Sequence, residues 1–212
     1  MLAPAQVEGY LLFTKDLTDG VTYPLYSLTA GDLVRTLHHG PQSIRWIGKK
    51  AIKLAPNFSQ DKLRPIQISI GALGQGLPHK PLRLSRQHRL LVSSPINRRM
   101  FGTRDSLIAA VKLTDLPGIS IDTHCSAVTY IHLLFNQHEV IFANGAPCES
   151  LHTGPEAMKS ISPAARAELF ALFPELMTDP NLRRLAALCP HNRQQRQLIA
   201  RHKKNKKPLL YL

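Results

Sequence analysis

Ser85 and His88 stand three residues apart in the strand-like run Leu84-Ser85-Arg86-Gln87-His88-Arg89-Leu90-Leu91-Val92. A hydroxyl and an imidazole at that separation on a kinked strand suit activation of a peptide carbonyl, because the ring exchanges a proton near neutral pH. The same pair also fits a structural role, with the hydroxyl bonding backbone and the ring packed in a polar turn. A second stretch, Val128 to Gly145, carries His132, His138 and the pair Asn144-Gly145. On its residue types alone, Asn144-Gly145 is a tight turn with positive φ.

Ten histidines raise the question of a metal, particularly His124-Cys125, His132 and His138. Their spacings match no compact zinc signature, and neighbours on a strand point to opposite faces. No metal and no cofactor is therefore expected. The three cysteines, Cys125, Cys148 and Cys189, are odd in number and lack CxxC spacing, which argues for thiols acting as small hydrophobes rather than a disulfide framework. Cys148, just past the Asn-Gly turn, is the one placed to serve as a nucleophile.

The elements that must position these residues are short strands. Apolar or alternating runs such as Ile44–Ile47, Ile66–Ile70, Leu82–Val92, Ser106–Leu113 and Val128–Phe135 recur between turn residues at Gly31-Asp32, Gly40-Pro41, Gly74 to Gly76 and Pro117-Gly118. This predicts a mainly β domain over residues 10–155. Beyond Gly154 the signals change. Ser162-Pro163 is an N-cap with proline at the first helical position, and Pro174 stops the helix. Asp179-Pro180 predicts a second helix through Leu188, and Asn192 to about Lys204 a third, frayed at its lysine-rich end. Residues 156–212 thus read as a helical, basic C-terminal extension.

A formal net charge of +13 is concentrated in that extension, with nine Lys/Arg and no Asp or Glu from Asn181 onward. The remainder carries 18 basic against 14 acidic residues, since 27 less nine is 18. The tail is the part that could meet nucleic acid or an acidic partner through phosphate-like contacts. No apolar run suits a membrane span and the N-terminus shows no secretory signal pattern, so no membrane partner and a cytoplasmic location are expected.

Five segments, taken in order, resemble the Hint domain of hedgehog proteins and inteins, in its bacterial subfamily. They are Leu28-Thr29-Ala30-Gly31-Asp32-Leu33-Val34; Gly40 to Gly48; Ile68 to Pro78; the Ser85-x-x-His88-Arg89 run; and Tyr130 through Gly145 to Ser150. The resemblance implies a nearly all-β horseshoe. It also implies autoprocessing, in which an N-terminal cysteine attacks the preceding carbonyl and converts an amide to a thioester by an N–S acyl shift. The substrate so implied is the domain's own N-terminal or fused segment. His88 falls on the family's histidine, which protonates the leaving amide nitrogen, and Ser85 on the hydroxyl that orients the peptide. His138 and Asn144, in the pattern His-x-x-x-x-Ala-Asn-Gly, match the later cleft segment.

One position departs. The family's "C-F-x-x-G-T" opening falls within Glu8 to Thr14, where the chain reads Glu8-Gly9-Tyr10-Leu11-Leu12-Phe13-Thr14. Aligning Phe13 with the motif's phenylalanine puts Leu12 in place of cysteine; a different gap puts Glu8 or Gly9 there. Thr14, the nearby hydroxyl, is a poor substitute for a thiol of pKa about 8.5. The terminal His-Asn used by inteins has no counterpart, as Cys148-Glu149-Ser150 stands there. The chain is thus expected to be an autoprocessing domain with a degenerate or inactive site. The alternative is a non-enzymatic binding module, using the cleft for a peptide or the basic tail for nucleic acid or an acidic partner.

Overall fold

Every pairing between named strands is antiparallel, as short strands joined by tight turns require. The computed structural model describes residues 12–14, 22–54, 62–154, 158, 161–178 and 184–211. Along the chain the strands are β1 (Leu12–Thr14), β2 (Thr22–Pro24), β3 (Leu33–Thr36), β4 (Gly40–Ser43), β5 (Trp46–Lys53), β6 (Ile66–Ile68) and β7 (Leu82–Leu84). They continue as β8 (Arg89–Ser93), β9 (Asp105–Ala109), β10 (Ile119–Ile121), β11 (Ala127–Leu134), β12 (Val140–Ala143) and β13 (Ala146–Glu149). The helices are α1 (Pro95–Phe101), α2 (Pro163–Leu172), α3 (Glu175–Thr178) and α4 (Asn192–Asn205). A mainly β fold with a C-terminal helix is what the alternation and turn residues predict.

The largest sheet runs β4-β3-β12-β13-β8-β9. Strand alternation gives it two unlike faces. Val34, Ile141, Cys148, Leu90 and Ile108 lie on one and fill the main core, where the aliphatic side chains of β6 and β7, namely Ile66, Ile68, Leu82 and Leu84, meet them. Val140, Leu91 and Leu107 lie on the other, packed by Ala186 and Ala187. Glu149 pairs with Val140 and therefore shares this second face. A three-stranded sheet, β10-β6-β7, and the long β5–β11 ribbon complete the β framework, with β1 and β2 forming a small pair.

The run Leu82 to Val92 is two strands rather than one. β7 ends at Leu84, β8 begins at Arg89, and the two belong to different sheets. Ser85 to His88 form the turn between them, closed by the His88 N–H donating to the Ser85 carbonyl at 3.1 Å.

The first C-terminal helix follows its sequence signals closely. The Ser162 hydroxyl accepts from the Ala165 N–H, Pro163 opens α2, and the helix stops at Leu172 before Pro174. Its Leu169 packs with Trp46, Leu134, Leu151 and Leu176 in a separate apolar cluster. Burying one such leucine contributes about 2 kcal/mol. Trp46 Nε1 donates to Glu168 at 3.0 Å and Arg45 pairs with Glu175 at 2.8 Å, fastening α2 and α3 to the start of β5.

Two expectations are corrected. The helix predicted from Asp179-Pro180 through Leu188 is absent over Arg184–Pro190, residues 179–183 lying outside the described ones. This stretch is extended because β9 is the sheet's edge: the Leu107 N–H donates to the Leu188 carbonyl at 2.8 Å, capping a group the edge leaves open. Nor is the third helix frayed. Leu198 and Ile199 of α4, with Leu209 and Leu210 beyond it, belong to the main core, and Ser93 exchanges backbone hydrogen bonds of 3.0 Å with Leu209 and Tyr211. Buried His202 ties the end down, its Nε2 lying 3.1 Å from Ser94 Oγ and its Nδ1 3.1 Å from the Lys207 carbonyl.

Candidate functional site

Glu149, the last residue of β13, is the centre of the polar cluster on the sheet's second face. Its Oε1 accepts from the Arg89 N–H and its Oε2 from Arg89 Nη1, both at 2.9 Å. Burial pushes the carboxyl up, but His138, His88 and Arg89 outweigh it and hold it below its ordinary value. Glu149 is thus a buried anion, and its charge likewise keeps Arg89 protonated against the pull of desolvation.

His138 approaches from the loop before β12. Its Nδ1 accepts a 3.0 Å hydrogen bond from the Ala186 N–H, which leaves the neutral ring's proton on Nε2. That nitrogen is buried and 3.4 Å from Glu149 Oε2, an ion-pair distance without hydrogen-bond alignment. His152 stacks edge-on against the ring, with centroids 5.1 Å apart. Behind it, the Ser150 hydroxyl accepts from the Glu139 N–H at 2.9 Å, and buried Glu139 takes His39 Nδ1 at 3.0 Å and Gln137 Nε2 at 2.9 Å. These bonds fix the loop from both sides.

His88 comes from the Ser85 turn. The residue is half-buried, yet its Nε2 is closed off from solvent and has no hydrogen-bond partner. Burial holds the ring below its ordinary 6.5; Glu149 opposes this, and Arg89 and His138 reinforce it. A third imidazole belongs to the same field. His132, opposite Gly48 in the β5–β11 ribbon, is pushed down to about 4 by burial, with His88 and Lys50 adding to the effect. At neutral pH the rings of His88 and His132 are therefore uncharged beside one carboxylate–guanidinium pair.

The four residues singled out in the sequence separate into two places. His88 and His138 meet around Glu149, with half-buried Ser85 on the His88 turn. Asn144 lies at the other end of the β12–β13 hairpin, about 13 Å of strand away from Glu149. It adopts φ of +49° and Gly145 +81°, the tight turn its sequence predicts. Its Nδ2 donates to the Pro81 carbonyl at 3.1 Å and, more loosely, to that of Lys80, while its own carbonyl accepts from the His79 N–H at 2.8 Å. Asn144 thus clamps the 79–81 loop to the hairpin.

Leu12, the position aligned with the family's cysteine, begins β1. That strand pairs with β2 and runs alongside β12 and β3, which places the N-terminal strand next to the hairpin that carries Glu149. Glu8 and Gly9, the other alignments, lie outside the described residues. Cys148 faces the main core beside Ile141 and Leu90, and burial raises its thiol far above the ordinary range. Cys125 and Cys189 are also raised by burial, Cys189 within the opposed fields of Arg89 and Glu149. Among the described residues, no group of three or more His, Cys, Asp or Glu is arranged to hold a metal ion, and no helix is long and apolar enough to cross a membrane.

Glu149 and Arg89 were not singled out as site residues from the sequence, and His132 only as one of the histidines weighed for a metal. The available signal was a carboxylate ending an otherwise apolar hairpin strand, Ala146-Pro147-Cys148-Glu149, buried at all four positions. Such a charge needs a partner.

Antiparallel sheets carry a histidine cluster around Glu149, and β1 lies beside the hairpin that bears that residue. Residues 14–155 match the sequence model of the Hint domain, more than half of the chain, so the chain belongs to the Hint domain family. No curated protein matches it.

Proposed function

We propose that this chain is a Hint-type autoprocessing domain that keeps the family's proton-handling imidazoles and lacks the thiol they serve. The observation that carries this reading is the position of β1. The strand that begins at Leu12 lies beside β12, and no cysteine occurs before Cys125. Cys148 does not replace it, being sealed in the core.

In an N–S acyl shift a thiolate sulfur bonds to the carbonyl carbon, the C–N bond breaks, and the amide nitrogen leaves with a proton. A side chain at position 12 would be covalently tethered to its own substrate, so proximity would supply much of the acceleration. His88, neutral and with an unpartnered Nε2, is suited to hold the peptide and pass that proton. Glu149 offsets the charge of a protonated His88, while Arg89, its ion-pair partner, opposes that charge. Leucine provides no nucleophile, so the sequence of steps stops before it begins.

The test is intact-mass measurement of the purified full chain incubated with dithiothreitol or hydroxylamine. A single unchanged mass is expected. Loss of an N-terminal segment at one defined bond, abolished by His88→Ala, would overturn the reading.

A further inference from the structure

Five cations share one side of α4. At 3.6 residues per turn, Arg193, Arg196, Arg201, Lys203 and Lys204 fall within an arc of about 160°, and all five are exposed. The opposite side carries the buried Gln195, Leu198, Ile199 and His202. Only Gln197 and Ala200 interrupt the basic stripe, which extends about 16 Å from Arg193 to Lys204. Exposed Lys206 and Lys207 prolong it, and α1, packed against α4, adds exposed Arg98 and Arg99.

These charges differ from three of the molecule's other arginines. Arg45, Arg83 and Arg89 are held in ion pairs with Glu175, Asp122 and Glu149. Among the described residues no ion pair engages any of the five cations on α4, and neither α1 nor α4 contains an Asp or Glu. The stripe is also rigidly presented. Gln195 donates to the Pro190 carbonyl at 2.7 Å and accepts from the Ala109 N–H at 3.2 Å, while His202 secures the other end. Little backbone ordering remains to oppose binding.

We infer that this face binds the phosphate backbone of double-stranded nucleic acid. A basic helix face about 16 Å long is long enough to span a B-form major groove about 12 Å wide, so both flanking phosphate rows are within reach. None of the exposed large apolar side chains lies on α1 or α4, which removes the anchors a lipid surface would take. The nearby aromatics, Tyr211 and Phe101 of α1, are both half-buried, so stacking on single-stranded bases has no platform. Recognition is through charge alone and is independent of base sequence.

Fluorescence anisotropy of the full chain with labelled DNA and RNA duplexes of about 24 base pairs tests this. For about five phosphate contacts, affinity falls several hundred-fold between about 50 and 200 mM salt. Combining Arg193→Glu, Arg196→Glu and Lys204→Glu is expected to weaken binding at least about 30-fold at fixed salt, with helicity unchanged by circular dichroism. Lys49→Glu with Lys53→Glu, exposed on β5, leaves affinity within about threefold. Should the triple variant not fold, Arg193→Gln with Arg196→Gln lowers the logarithmic salt slope by about two. Absence of binding to both duplexes, or equal binding by the folded triple variant, overturns the inference. So does equally tight binding of polyglutamate, which would favour an acidic protein instead.

Discussion

The Ala186 N–H donates to His138 Nδ1 across 3.0 Å, joining the extended stretch after α3 to the centre of the histidine cluster. The bond leaves Nε2 as the protonated nitrogen of the neutral ring and directs it toward Glu149, 3.4 Å away. A segment far along the chain therefore sets the tautomer of a site residue. In long-range proton–nitrogen correlation spectra at neutral pH, His138 is expected as the Nε2–H tautomer. An Nδ1–H signal would contradict the arrangement.

Glu149 should be the most sensitive polar position. Replacing it with glutamine leaves the partly buried Arg89 guanidinium without its anion, and breaking such a pair costs about 3 kcal/mol. Urea denaturation of Glu149→Gln at pH 7 measures this directly. A loss below about 0.5 kcal/mol would place the pair among weak surface contacts.

Acid should weaken the fold in two overlapping windows. The folded pKa of His132 is lowered to about 4 from 6.5, so the unfolded chain takes up the proton first and stability falls between those values as pH decreases. Its contribution is up to about 3 kcal/mol. Glu149, held below 4.5, adds a further loss as pH drops from 4.5 through its folded value. Denaturation midpoints of His132→Gln should be flatter than wild type above pH 4.5, and those of Glu149→Gln flatter below it.

Much of the framework is legible in the sequence because strand alternation, proline and glycine act locally. Ser162-Pro163 and Pro174 bracket α2 where the cap rules place them. Local rules fail where a distant group decides. Leu188 has helical neighbours by composition, yet its carbonyl takes the edge N–H of Leu107 instead. Lysines at 203–207 suggest a loose end, but a buried histidine and two core leucines behind them hold it. The site divides in the same way. His88 and His138 stand out by motif, while Glu149 and Arg89 are 60 residues apart and gain meaning only when β8 and β13 pair.

The thiols should differ sharply in reactivity. Cys148, buried beside Ile141 and Leu90, is expected to remain unmodified by an aromatic disulfide reagent until the chain unfolds. Half-buried Cys125 and Cys189 should react in the native state, more slowly than free cysteine because their thiols are raised. Fast labelling of native Cys148, followed by mass spectrometry, would contradict its place in the core.

The most direct test of a Hint scaffold deprived of its nucleophile is to supply one. Leu12→Cys puts a thiol at the aligned position, and intact mass is followed after addition of dithiothreitol. Wild type should keep its full 23.6 kDa mass. Leu12→Cys should release the segment before residue 12, and His88→Ala in the same background should prevent that release. Cleavage of wild type at a defined bond, or a folded Leu12→Cys chain that stays whole, would contradict it.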